Sequence, residues 1–146
     1  MAAGPGRKPL REAGGILLVA FSFFLLLSLF SFQGDDPSFN ISGTGKAKNW
    51  GGIVGSHISD LLFQILGACS FVVALEILVV ALLFLFRSGW KPELFPLLGM
   101  TFIPFVLASL LDLLMAGFSI GGITFPAGGL AGKGGSWVLV RLFSRR

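Results

Sequence analysis

Three long apolar runs, separated by short polar segments, set the order of this chain. The first, Gly14 to Phe32, is nineteen residues without a charge, preceded by a flank that carries Arg7, Lys8, Arg11 and Glu12. The second, Leu61 to Phe86, has 26 residues and one charge, Glu76; the third runs from Leu94 to about Phe118. An α-helix rises 1.5 Å per residue, so about 20 residues cross a hydrocarbon core of roughly 30 Å. Each run is therefore read as a membrane span. A cleavable signal peptide fits the first run poorly, because its apolar region covers about 7 to 15 residues before a small-residue cleavage site. This run continues to Ser31-Phe32-Gln33.

The segments between the runs fill in the plan. Residues 1–13 form a basic flank, and 33–60 read as an exposed loop, with Asp36-Pro37 as a turn opener. Asn40-Ile41-Ser42 fits the glycosylation acceptor pattern, a three-residue match that arises by chance. Gly52 and Ser56, and again Gly55 and Ser59, have the four-residue spacing that lets two helix backbones approach. With Gly67 they are the candidate oligomerisation surface, a flexible loop end being the alternative. Arg87 to Glu93 is a short basic link with Trp90 placed for the interface. In the third run Pro96 falls in the first turn, whereas Pro104 lies inside and predicts a kink. Residues 119–146 are glycine-rich, and their one apolar stretch ends at Arg141, too short to cross by the usual length. The fold class is all-α, an integral membrane bundle of three transmembrane helices (about 14–32, 61–86 and 94–118), with the tail as a partial or re-entrant fourth element.

Composition agrees. With 54% hydrophobic residues in 146 and a mean hydropathy of +0.88, the chain has more apolar surface than a soluble domain of this size can bury. The net charge of +4 comes from basic residues beside apolar runs, as topology signals do, and not from a patch that would hold a nucleic acid strand. Cys69 is the single cysteine, which excludes an intramolecular disulfide. The basic flank and link place the N-terminus in the cytoplasm. Three spans then leave the tail outside, although Lys133, Arg141, Arg145 and Arg146 favour the inside. A truncated form of a longer protein, or a tail that re-enters the membrane, would reconcile the two.

Glu76 is the sharpest candidate for chemistry, since an acid inside a span costs about 2.5 to 3.5 kcal/mol on insertion scales and faces a partner or a water path. Asp112 lies near the outer end of a helix running the other way, so it is expected to face Gln64 or Asp60 and not Glu76. Without a relay, a neutral or subunit-facing Glu76 is preferred over ion conduction. His57 is the only histidine, leaving no metal cluster, and there is no nucleophile elbow. Gly45-Lys46 and Gly132-Lys133 fail as phosphate loops: Asn40 and Ala127 stand where the first glycine belongs, Ala47 and Gly134 where the hydroxyl belongs. No enzymatic activity and no cofactor are expected.

Several pieces in order carry a resemblance: Asp36-Pro37-Ser38, Asn49-Trp50-Gly51-Gly52-Ile53-Val54-Gly55, Ser59-Asp60-Leu61-Leu62-Phe63 with Gly67 downstream, and Gly128-Gly129-Leu130-Ala131-Gly132. Over about residues 12 to 132 the chain resembles the N-terminal membrane domain of the FtsK/SpoIIIE DNA translocases of bacteria. The resemblance implies four spans, a linker and a cytoplasmic motor that hydrolyses ATP and pumps DNA. This sequence stops near where the fourth span is expected and carries no motor. The implied role is to anchor, oligomerise or localise at the division septum in the bacterial inner membrane. The implied partners are the lipid bilayer, further copies of the chain, divisome membrane proteins or a separate motor chain, without direct nucleic acid contact. An inactive truncated copy is a further reading of the same resemblance. The alternative from another class is a small channel or transporter component using Glu76.

Overall fold

The computed structural model describes residues 9–39, 46–86 and 94–143. Outside them lie Arg7 and Lys8, the Asn40-Ile41-Ser42 pattern, the link with Arg87, Trp90 and Lys91, and Arg145 and Arg146. The helices are α1 (Pro9–Phe30), α2 (Gly52–Leu66), α3 (Ser70–Phe86), α4 (Leu94–Leu114) and α5 (Gly129–Phe143). A 3-10 turn, Gly67–Cys69, joins α2 to α3, and a two-stranded hairpin, β1 (Phe118–Ile120) and β2 (Ile123–Phe125), joins α4 to α5.

Helices α1 and α3 pack antiparallel through small residues. Ser22 donates to the Ala74 carbonyl at 2.7 Å, Ala74 and Ala81 are fully buried, and Gly15 lies against Leu85. At the other end Phe30 meets Phe71 with ring centroids 5.0 Å apart. Large apolar side chains point outward from the long helices, among them Phe21, Phe23, Leu75, Phe102 and Val106. Such a surface suits hydrocarbon and not water.

By length and hydropathy alone, Gly52–Phe86 is one apolar segment of 35 residues. The chain breaks it. Gly67 takes φ +59 and ψ −136, a conformation that L side chains avoid. If α2 continued the axis of α3, Gly55 would stand about 22 Å beyond the first turn of α3. Instead Gly55 packs on Ser28, while Phe30, two residues further along α1, meets Phe71 at the start of α3. Helix α2 therefore lies across the end of the α1–α3 pair. The 61–86 run of the sequence reading is thus divided among the end of α2, the 3-10 turn and α3, which has 17 residues from Ser70.

Three further expectations change. Residues 52–60 are helical and not loop, and the segment before them is tied down. Asp36, 3% exposed, accepts from the Lys48 and Asn49 N–H groups at 2.8 and 2.7 Å; Asn49 Nδ2 donates to the Ser28 carbonyl at 2.8 Å. The third run ends at Leu114, and the hairpin makes the fold more than all-α. Gly121 and Gly122, at φ +57 and +82, form the two-residue turn that antiparallel strands require, in the register Phe118↔Phe125. The glycine-rich tail is helical from Gly129 to Phe143. Helix α4, by contrast, continues through Pro104 as one element.

A phenylalanine cluster closes this end of the bundle. Phe63 of α2 is fully buried, with centroid distances of 5.3 Å to Phe32, 5.8 Å to Phe71 and 5.5 Å to both Phe118 and Phe125. Rings at 4.5 to 7 Å in tilted or edge contacts add to the stabilisation from burial.

Candidate functional site

The densest meeting of elements is the junction where the hairpin docks into the break between α2 and α3. The Ala68 N–H donates to the Ala127 carbonyl at 2.9 Å. A β-carbon on Gly67 would stand 2.6 Å from the Pro126 carbonyl oxygen, and one on Gly129 would stand 2.5 Å from that of Ile65. These are backbone-to-backbone approaches that only glycine permits. They hold α2, α3 and the start of α5 as one unit.

Helix α5 then crosses α4 on a seam of small residues. Gly128 abuts the Ala108 carbonyl, and a β-carbon on Gly132 would lie 2.5 Å from the same oxygen and 3.3 Å from Asp112 Cβ. Ser136 donates to Asp112 Oδ2 at 2.6 Å. Gly128, Gly132, Gly135 and Ser136 thus seat α5 on the Ala108–Asp112 turn of α4.

The sequence-derived candidates fall into three groups. Gly55, Ser56, Ser59 and Gly67 are buried within this chain. A β-carbon on Gly55 would meet Asn49 Oδ1 at 2.5 Å and Ser28 Oγ at 2.6 Å; Ser56 donates to the Pro37 carbonyl and Ser59 to that of Ser56. The close-approach chemistry read from their spacing is present, but its partner is the same chain. Gly52, at φ +64, has nothing within 4 Å of where a β-carbon would sit and serves the helix start.

The intramembrane polar group is divided. Asp112 is paired with Ser136, a residue of the tail, and not with Gln64, which is half-buried on α2. Glu76 lies six residues into α3, about 9 Å from its start and not the 22 Å that an unbroken span would give. Its Oε1 is buried without a hydrogen-bond partner. It borders a cleft of about 320 Å³ between α1, α3 and α4, which Leu18, Val73, Ile77, Val80, Met100 and Thr101 complete. His57 caps its own helix turn, Nδ1 lying 2.8 Å from the Ile53 carbonyl, with the ring edge against Phe39. Among the described residues no three metal-binding side chains converge.

The sequence reading missed Asp36, Asn49 and Ser136. The first two stood inside the quoted motifs as turn and loop residues, and only the fold shows that they bond the loop to α1. Ser136 gave no signal, because its partner is 24 positions away.

The order of these parts, a basic-flanked first helix, a glycine-started α2 and a glycine-rich return after α4, can now be set beside known proteins. Residues 7–145 match the family described as the 4TM region of DNA translocase FtsK/SpoIIIE. The chain belongs to that family. DNA translocase FtsK of Rickettsia bellii is 38% identical over 61 residues, 42% of this chain and 8% of that protein. The Rickettsia prowazekii protein of the same name is 38% identical over 60 residues, 41% of this chain and 8% of the relative. That of Shewanella oneidensis is 35% identical over 68 residues, 46% and 8% respectively. The chain thus matches about 8% of the length of these relatives. No solved structure matches it. As an FtsK/SpoIIIE membrane region, the fold is a membrane helical bundle.

Proposed function

We propose that this region anchors an FtsK-like DNA translocase in the bacterial inner membrane and takes part in cell division and chromosome segregation as structure, not as an enzyme. Family membership over residues 7–145 carries the reading. The topology we propose has the N-terminus and the 87–93 link in the cytoplasm, where Arg7, Lys8, Arg11, Arg87 and Lys91 favour them. Helices α1, α3 and α4 cross the bilayer; α2, the hairpin and α5 form a layer at its outer end.

Self-association belongs to the same proposal but uses a different surface from the one the glycine spacing suggested, because Gly55, Ser56, Ser59 and Gly67 are occupied within the chain. We place that contact at the α1–α3–α4 cleft, which Glu76 borders with one buried oxygen lacking a hydrogen-bond partner. The same oxygen is the observation that favours the runner-up, a channel or transporter component. Against that reading, the residues lining the cleft include no second carboxylate.

An N-terminal fluorescent fusion of residues 1–146 tests the anchor. It is expected in the membrane fraction and concentrated at division sites. Recovery in the soluble fraction would refute the anchor, and an even membrane distribution would refute septal localisation by this region.

A further inference from the structure

Helices α2 and α5 are built to one plan. Gly51, Gly52, Gly55 and Ser59 recur 77 positions later as Gly128, Gly129, Gly132 and Ser136. The second glycine of each pair has a left-handed φ, +64 at Gly52 and +61 at Gly129. Each enters its helix through the same bonds: Gly52 N–H to Asn49 O and Gly129 N–H to Pro126 O, then Gly55 N–H to Gly51 O and Gly132 N–H to Gly128 O. Each lays its small residues across the C-terminal half of the long helix before it, at Ser28 of α1 and Ala108 of α4. The hairpin's bond to Ala68 locks the two units side by side.

The opposite faces of both helices carry membrane-surface chemistry. On α2, Val54, Leu61 and Ile65 form an exposed apolar stripe, with the half-buried His57 and Gln64 along one edge and Trp50, 74% exposed, just before its start. On α5, Lys133, Trp137 and Arg141 form an exposed stripe at four-residue spacing, the Arg141 guanidinium 5.0 Å from the Trp137 ring centre. Val138 and Leu142 are exposed beside it. A helix with apolar residues on one side and Trp and basic residues at the edge lies in the plane of the interface, ring at headgroup level and cation on phosphate.

We infer that α2 and α5 are paired interfacial helices seated in the outer leaflet of the bilayer, with lipid as the partner of their exposed faces and phosphate headgroups as the partner of Lys133 and Arg141. The outer leaflet is continuous with the lipid-facing surface of α1, whose Phe30 is 69% exposed beside the cluster that α2 covers. Lys133 and Arg141 thus lose their weight as an inside signal, because they sit on an interfacial helix, whereas the rule concerns loops that flank crossing helices.

The inference rests on the three-crossing topology above, which reporter fusions in the 87–93 link and after Phe143 test separately. Its own test is single-cysteine labelling of the full chain in a Cys69→Ser background, in cells with a permeabilised outer membrane and in phosphatidylethanolamine/phosphatidylglycerol proteoliposomes. Gln64→Cys and Lys133→Cys are expected to react several-fold faster with an impermeant maleimide than Val54→Cys, Leu61→Cys or Ile65→Cys. Fluorophores at the latter three are expected to be quenched by lipid brominated near the headgroup. A steady fall in labelling from residue 52 to 66, independent of face, would mean that α2 crosses the bilayer and overturn the inference. Fast labelling at Leu61 and Ile65 would place the stripe in water, and slow labelling without lipid quenching would place a protein on it; either overturns it as well.

Discussion

Replacing Gly67 by alanine strikes the one turn on which the layered arrangement depends. At φ +59 and ψ −136 an alanine carries a backbone penalty of about 1–3 kcal/mol. Its β-carbon would also stand 2.6 Å from the Pro126 carbonyl oxygen and 2.7 Å from the Ala127 carbonyl carbon, backbone atoms that cannot rotate away. Relief requires the hairpin to withdraw, at the expense of the Ala68–Ala127 hydrogen bond, worth about 0.5–1.5 kcal/mol net. Together these amount to about 2–4 kcal/mol against the docked state. Cys69 supplies a native probe, being the only cysteine, 1% exposed and within the same turn. If thiol labelling requires local opening, its rate in detergent should rise about 30-fold to nearly 1,000-fold in Gly67→Ala, at tenfold per 1.4 kcal/mol. Gly99→Ala, where nothing lies within 4 Å, serves as the control and should leave the rate unchanged or slightly lower. A wild-type labelling rate in Gly67→Ala would refute the claim that this glycine fixes the break.

Asp36→Ala removes the acceptor of two backbone N–H groups, that of Asn49 buried and that of Lys48 partly so, and should cost about 2–4 kcal/mol, read as loss of hydrogen-exchange protection at Lys48 and Asn49. Ser136→Ala leaves Asp112 Oδ2 without its donor; a double-mutant cycle with Asp112→Asn in detergent unfolding should return a coupling of about 0.5–3 kcal/mol, whereas additivity would remove the pair as a tie between α4 and α5. Gly55→Val should destabilise the single chain in unfolding experiments at any protein concentration, since its side chain collides with Ser28 and Asn49 and not with a second copy. Wild-type protein in liposomes should show no ion flux, and Glu76→Gln should leave membrane insertion intact. Flux abolished by Glu76→Gln would restore the conducting role.

How far the sequence could be read depended on the range of the interaction. Apolar run length marked α1 and the run that ends in α3 as long and apolar enough to cross a membrane, because bilayer thickness acts on each run by itself. It could not place the break at Gly67, since an apolar segment of 35 residues looks continuous until the hairpin arrives some 60 positions later to occupy the turn. The four-residue spacing of Gly55 and Ser59 correctly signalled close backbone approach but not which backbone. That choice lies with Ser28 and Asn49, brought near by the Asp36 turn. Helix α5 was missed for a related reason. Glycines at 132, 134 and 135 weaken a helix in isolation, and two of them are tolerated because Ala108 and Ser109 take up the space they leave. Glu76 kept its unpartnered character, yet its depth followed the wrong end point until the break moved the start of the helix to Ser70.

The central claim is that three helices cross the membrane and that α2, the hairpin and α5 share its outer end. Dual topology reporters, one inserted in the 87–93 link and one fused after Phe143, test this most directly. The account predicts cytoplasmic activity from the link and extracytoplasmic activity after Phe143. Cytoplasmic activity at both positions would mean that α5 returns across the bilayer, and would contradict it.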